Sequence, residues 1–485
     1  MRRTFKDAPM HLSRSTLRVS RGVSPFALAV SVSALALVAR LLYVQCFATP
    51  MPYMDQWDGE WAGALKPWLE GALHWQMLIA PHNEHRILPT RLVTLLSYMA
   101  TGEWNNVHEA RIAAVVFCFI PGLLTWHALR DAEASARRWM PLLAVLLSVL
   151  PFAWENVLVG FQSQFYFLIL SSLVAIALVA RHHQSIAALA AAVALSMFAC
   201  ATMASGLLTA VATGATCVMA CLCLPGRRGP ALCATALLAV IAIAACAWVP
   251  VIDAHAVLRA QSVGEFVHAA GRVLSWPMRS APFALIIWLP AGVMIVRMLV
   301  HRRASPADLV MAGLCLWSAL QALAIAYGRG HEMRAPMSRY TELFVPGLFA
   351  SAWFALRLWS DAGQGARWCT ATRTVVVLFA LVVAWPLLGR AGKDAVKLQQ
   401  FSAAARLQQD NVQRHLAGDD LLAPLQADGF ELPYPDAESL KQRLADPLLL
   451  RVLPGQRAEP APPGGAGLPP AAYSAPAAGA VQLRP

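Results

Sequence analysis

Between Met51 and Arg91 the chain reads MPYMDQWDGEW…IAPHNEHRILPTR, and ionisable side chains crowd the stretch: Asp55, Asp58, Glu60, His82, Glu84, His85, Arg86 and Arg91. Three kinds of chemistry need such groups. A carboxylate can take the proton from an attacking hydroxyl, imidazoles and carboxylates together can hold a divalent metal, and a guanidinium can bind a phosphate through two parallel hydrogen bonds. Asp55 and Asp58 are the candidates for the first role; three residues apart, they share a face if the segment is helical. His82, Glu84 and His85, with the upstream aspartates, are the candidates for the second. No H-E-x-x-H is present, and a helix-capping or hydrogen-bonded pair at a helix start accounts for the histidines better than a ligand pair. Arg86 is a candidate for the third role, joined further along by Arg329, Arg334 and Arg339, with Tyr340 adjoining. Arginines at the ends of membrane spans also snorkel to the interface, a structural reading that stands beside the phosphate one.

The setting is apolar. Of 485 residues 58% are hydrophobic and 14% charged, against roughly 25% charged in soluble domains, and long apolar runs recur at the length of about 20 residues that a span requires. The chain therefore reads as all-α and polytopic. The net charge of +12 forms no basic stripe interleaved with aromatics, which argues against a nucleic-acid partner. The ten cysteines lie in or beside apolar runs and read as small buried thiols.

The first apolar run, 23–48, is too long for a signal-peptide core and follows a basic segment, 1–22, so it reads as a retained span with its N-terminus inside. Further spans are expected at about 109–129, 139–153, 161–180, 186–203, 207–224, 231–252, 281–300, 307–327, 342–358 and 374–389, eleven in all. This count leaves the short loops around Arg137, Arg181, Arg228, Arg302 and Arg367 inside, as the positive-inside rule requires. The segment 87–101 is short and carries Arg91, so it reads as interfacial or re-entrant. DQWD, PHNEHR, WENVLVGFQSQ, VIDAHAVLRAQ and YGRGHEMRAPMSRYTE then fall on one outer face. Clustering of polar loops on one face is what a site there produces.

A multi-span chain with its N-terminus inside and acidic residues just after its first span resembles the GT-C class of bacterial, polyprenyl-phosphate-dependent glycosyltransferases. The residues carrying the likeness are Asp55-Gln56-Trp57-Asp58, Pro81-His82-Asn83-Glu84-His85-Arg86, Trp154-Glu155-Asn156, Gly160-Phe161-Gln162 and Ser338-Arg339-Tyr340. The resemblance implies a protein of the inner (cytoplasmic) membrane that moves a sugar from a lipid-phosphate carrier to an envelope glycan or lipid acceptor at the periplasmic face. Its partners would be the lipid-linked donor, the acceptor and membrane lipids. On that reading Asp55 or Asp58 is the base, in a partly dehydrated setting where its pKa can rise. His82, Glu84, His85, Arg86, Gln162, Arg329, Arg334, Arg339 and Tyr340 line the substrates; Gln162 and Gln164 serve equally as interhelical glue. No cofactor is required, and a divalent metal assisting phosphate departure is compatible. A transporter or flippase, or a glycan ligase or polymerase, is the alternative. A transporter calls for mid-span charges and internal repeats; Arg40 is the main mid-span charge and no clear repeat is found.

Residues 390–455 read as an external cap, opening on an amphipathic helix, KDAVKLQQFSAAARLQQDNVQRHLAG, after the last span. The Pro/Ala/Gly-rich stretch 456–485 reads as a disordered tail.

Overall fold

The structure, a computed structural model, describes residues 23–130, 134–362, 369–419 and 431–455. The basic segment 1–22 and the tail 456–485 lie outside these. The described chain is helical, with one isolated β-bridge between His82 and His85.

Fifteen helices set the frame: α1 Pro25–Phe47, α2 Leu88–Thr101, α3 Asn106–Leu129, α4 Ala134–Val149, α5 Ser163–His182, α6 Ile186–Cys200, α7 Leu207–Cys223, α8 Gly229–Trp248, α9 Val263–Leu274, α10 Phe283–His301, α11 Pro306–Gly328, α12 Val345–Ala362, α13 Cys369–Leu416, α14 Ala437–Leu444 and α15 Pro447–Val452. Their starts are legible in local chemistry. Ser24 caps α1 by accepting from the Ala27 N–H, with Pro25 in the first turn. Ser305 and Asp308 cap one another's backbone at α11.

All eleven expected spans coincide with helices. Among the described residues nine helical segments are long and apolar enough to cross a membrane. The other two, α4 and α6, have 16 and 15 residues. The protein is thus an all-α, multi-pass membrane protein. α2 forms over the ambiguous 87–101 segment with 14 residues and a buried Arg91, and is shorter than each of the nine membrane-length segments.

The connections sort to two ends. At one, α2 is tied to the α6–α7 turn by Ile87 N–H→Thr202 O and Leu88 N–H→Ala201 O, both 3.0 Å, and Asn156 Nδ2 donates to Arg339 O at 2.8 Å. At the other, Arg181 donates to His127 O at 3.0 Å and Gln184 to Pro225 O at 3.1 Å. The polar stretches of the long loops therefore gather at one end of the bundle.

The last span and the amphipathic segment after it run on as a single helix, α13, of 48 residues, about 72 Å long at 1.5 Å per residue. Gly389 and Gly392 do not break it, because each side of that point has its own packing. Val382, Val383 and Leu387 pack in the main core, and Leu398 and Phe401 pack against Val44, Val157 and Trp154. The residues beyond share a core with the first loop: Val412, Leu440, Leu444, Leu449 and Val452 close over Met51, Trp57, Trp61 and Trp104.

Candidate functional site

The DQWD stretch departs from α geometry. Met54 takes a left-handed backbone (φ 47°) and gives its N–H to Pro433 O at 2.7 Å. From Trp57 to Leu65 the chain winds as a π-helix. That wider winding allows close packing at Gly59, where a Cβ would come within 2.8 Å of Phe161 and 2.9 Å of Ile87.

The two aspartates consequently part, contrary to the shared face expected of an α-helical spacing. Asp58 accepts from Arg443 Nη2 at 2.5 Å and from the Tyr434 hydroxyl at 3.2 Å, which fastens the loop to the C-terminal segment. Asp55 turns the other way: its Oδ1 lies 3.6 Å from His82 Nε2, and its side chain is 55% exposed. Because the Asp58 contact is half-exposed, Asp58→Asn and Arg443→Gln are each expected to cost only about 0.5–1 kcal/mol. Both should speed proteolysis of the C-terminal segment, and the double variant should be little worse than either single one.

The PHNEHR stretch is a tight turn. His82 and His85 exchange backbone hydrogen bonds at 2.7 and 3.0 Å across Asn83, which is left-handed (φ 51°). Its side chains then fan out to separate neighbours. His82 meets Asp55 and sits edge-on to Phe161. Glu84 bonds His255 Nδ1 at 2.7 Å and lies 3.6 Å from Arg329 Nη2. Arg86 donates to Trp248 O at 2.7 Å and lies 3.9 Å over its ring.

His85 Nδ1 accepts from the Ala204 N–H at 3.2 Å, a bond that requires an unprotonated nitrogen. Burial lowers the His85 pKa most, Glu84 draws it back up and Arg329 lowers it again, leaving about 4 in place of 6.5. The sign follows: the unfolded chain binds the extra proton first, so stability is full above pH 6.5 and declines as pH falls toward 4. His85→Gln, which can still accept from Ala204, should flatten that decline in thermal melts between these two values.

Much of the loop's charge is spent on holding it. Arg91, 3% exposed, donates to the carbonyls of Gly59, Met77, Leu78, Ala80 and Arg86 at 2.6–3.3 Å. Glu60 is fully buried and accepts from Gln56 and from Trp104 Nε1 at 2.9 and 3.0 Å, and the same Gln56 amide bridges to Glu109 at 3.0 Å.

Arg339 is presented by the turn before α12. Glu155 clamps that turn, accepting from the Arg339 N–H at 3.1 Å, from Arg339 Nη1 at 3.2 Å and from the Ser338 hydroxyl. Asn156 bonds Arg339 O and, at 2.7 Å, Glu342, which in turn pairs with the buried Arg40; Arg40 donates to Tyr166 at 2.8 Å. The mid-span arginine is therefore neutralised within the bundle. Burial pushes the Asp55 carboxyl up, but His82, Arg339 and His85 together outweigh it and hold it below the usual aspartate range. The expected rise is corrected on that account.

Asp55, His82, His85 and Arg339 thus form one electrostatically linked group, with Glu155 behind Arg339. Glu84, His255 and Arg329 form a second. Asp58 and Arg86 face structural partners, and Arg334 lies elsewhere, with its backbone carbonyl held by Arg272 at 2.6 Å. Gln162 is half-buried beside Phe161 at the start of α5, and Tyr340 packs against Phe165. Gln164 is buried, and among the described residues its Oε1 has no hydrogen-bond partner. Among the described residues no three His, Cys, Asp or Glu side chains come together as a metal site. Sequence reasoning named Glu155 within Trp154-Glu155-Asn156 without giving it a role, and did not single out His255, which lies in a polar stretch between spans. Tyr434 and Arg443 left no signal, since their role depends on a contact with Asp58 across more than 370 positions.

No protein-family model matches the chain, and no curated protein is similar to it. Among solved structures it is similar to an archaeal oligosaccharyltransferase from Archaeoglobus fulgidus, solved in complex with an inhibitory peptide and a dolichol-phosphate. The two share 11% identity over 91% of this chain and 61% of the other, with a TM-score of 0.44, so this chain spans about three fifths of that protein's length.

Proposed function

We propose that the chain is a membrane glycosyltransferase of the GT-C kind, moving a sugar from a lipid-phosphate carrier to an envelope acceptor at the face that carries the first loop. The observation that carries this reading is Asp55. Asp58 and Glu60 are tied to structural partners, whereas Asp55 stays exposed beside His82 and under the field of Arg339. An exposed carboxylate beside a histidine and within the field of an arginine, on the polar end of a multi-span bundle, is an arrangement suited to glycosyl transfer from a lipid phosphate.

In the reaction the acceptor oxygen bonds the anomeric carbon as the carbon–oxygen bond to phosphate breaks. The acceptor proton passes to Asp55, and the lipid phosphate leaves with the bonding pair, its charge met by Arg339. A donor phosphate arriving at Arg339 offsets the cation that holds Asp55 low, which raises the Asp55 pKa toward the range useful to a base. His82 orients the carboxylate, and Glu84 with Arg329 holds the loop in register. Gln162 and Tyr340 line the acceptor side. Asp58 acts by positioning, through Arg443.

The orientation follows from the same reading. Reporter fusions after Arg137, Arg228 and Arg302 should read cytoplasmic, and one after Gly418 external; an external signal at Arg228 would place the first loop on the wrong side for an envelope acceptor. The function itself is tested by Asp55→Asn, which should abolish transfer while donor binding persists. Unchanged surface glycan in that variant would reject the assignment.

A further inference from the structure

The connection 249–282 joins the ends of α8 and α10. Both helices run on the rim of the bundle, largely uncovered by protein. Since each crosses the membrane, the connection begins and ends at one bilayer surface.

Its helix α9 has one broad apolar face that is only partly covered. Ala269, Ala270 and Phe266 pack on Ala326 and Met333. The edge of the same face is bare: Val263 and Val267, one turn apart, are 79% and 61% exposed, and the preceding Val251 and Val257 are 74% and 66% exposed. In a membrane protein such a face lies in the boundary between headgroups and acyl chains.

Beside it is a cavity of about 390 Å³ whose polar lining is Glu265, His268, Arg272, Glu332 and Arg334. Arg272 donates to His268 at 2.7 Å and to Arg334 O at 2.6 Å, and Arg334 is exposed. Among the described residues neither guanidinium pairs with a carboxylate. Glu265 is occupied by the Gln261 N–H and His331, whereas Glu332, on a left-handed residue (φ 48°), is left facing solvent. The cavity therefore offers two unneutralised cations and one free anion at the bilayer surface.

We propose that this cavity binds a bilayer phospholipid whose headgroup carries a phosphate and a primary ammonium. Arg272 and Arg334 take the phosphate, Glu332 takes the ammonium, and an acyl chain covers Val263 and Val267. Guanidinium forks match phosphate oxygens, and a primary ammonium can donate hydrogen bonds to a carboxylate where a quaternary one cannot. The site is separate from the Asp55 group and does not rest on the glycosyltransferase reading.

The test is amide hydrogen exchange over residues 257–275 of the full chain in nanodiscs. With phosphatidylethanolamine, exchange in α9 should be about tenfold slower than with phosphatidylcholine of the same chains. Arg334→Gln should remove the slowing, since among the described residues the Arg334 side chain has no hydrogen-bond or ion-pair partner. Glu332→Gln should remove the difference between the two lipids. Equal exchange in both lipids, or a difference that survives both substitutions, would overturn the proposal. So would full slowing by millimolar inorganic phosphate in phosphatidylcholine discs, since the ligand would then be a free anion.

Discussion

Asp55→Asn is expected to lower sugar transfer by about 10²–10⁴-fold, the usual worth of a positioned general base, with protein level and insertion unchanged. The side chain is exposed and its ion-pair partner is the His82 ring at 3.6 Å, so the amide costs the fold little. What it loses is the capacity to take a proton. Because His82, Arg339 and His85 hold the carboxyl below its usual range, the active, ionised form of the free protein should persist well into acid. The acid limb of kcat/KM should therefore lie below the ordinary aspartate value and vanish in the Asn variant. Asp58→Asn should retain most activity, because its partners are Arg443 and Tyr434 rather than the reacting groups. Equal losses from both variants, in kcat as well as in protease resistance, would mean that Asp55 acts only by holding the loop.

Arg91→Met is expected to be the most damaging single change to the site's framework. The substitution preserves most of the stem but removes donors to five carbonyls and leaves them unpaired in a largely buried place. Unmade bonds of this kind cost about 1–3 kcal/mol each, so local destabilisation of at least about 3 kcal/mol is expected even if several carbonyls find water. The effect should be local. Amides over 54–91 should exchange much faster while the core of α5 and α11 stays protected, and transfer should fall with Asp55 intact. Arg91→Lys should rescue poorly, since one ammonium has three donors and no planar fork. Uniform loss of protection across the bundle would show instead that α2 supports the whole fold.

The spans were legible in the sequence because their signal is local: an apolar run of sufficient length is a helix in lipid whatever its neighbours. Charge in the short connections gave a consistent grouping of the polar loops, and the contacts among residues 82–86, 204, 248 and 255 gather at one end as that grouping requires. What the sequence hid was non-local or depended on unusual winding. The parting of Asp55 from Asp58 follows from a left-handed Met54 and a π-helix, neither of which has a signature in DQWDGEW. The continuity of α13 through Gly389 and Gly392 rests on packing against α1 and the α5 entry rather than on helix propensity. Arg86 looked like a phosphate ligand or a span-end anchor, and neither its carbonyl partner nor those of Arg91 could be read from spacing. Arg339 was picked out by its place at the mouth of a late span, and its clamp by Glu155 depends on a contact across 184 positions.

The glycosyltransferase reading is tested most directly by turnover of purified protein in proteoliposomes carrying a panel of polyprenyl-phosphate-linked sugars. Sugar should leave at least one donor, with release of polyprenyl phosphate, and Asp55→Asn should bind that donor but release almost nothing. If the intact protein moves donors across the bilayer without breaking the sugar–phosphate bond, or releases the same product with Asp55 replaced, the protein is not the transferase proposed.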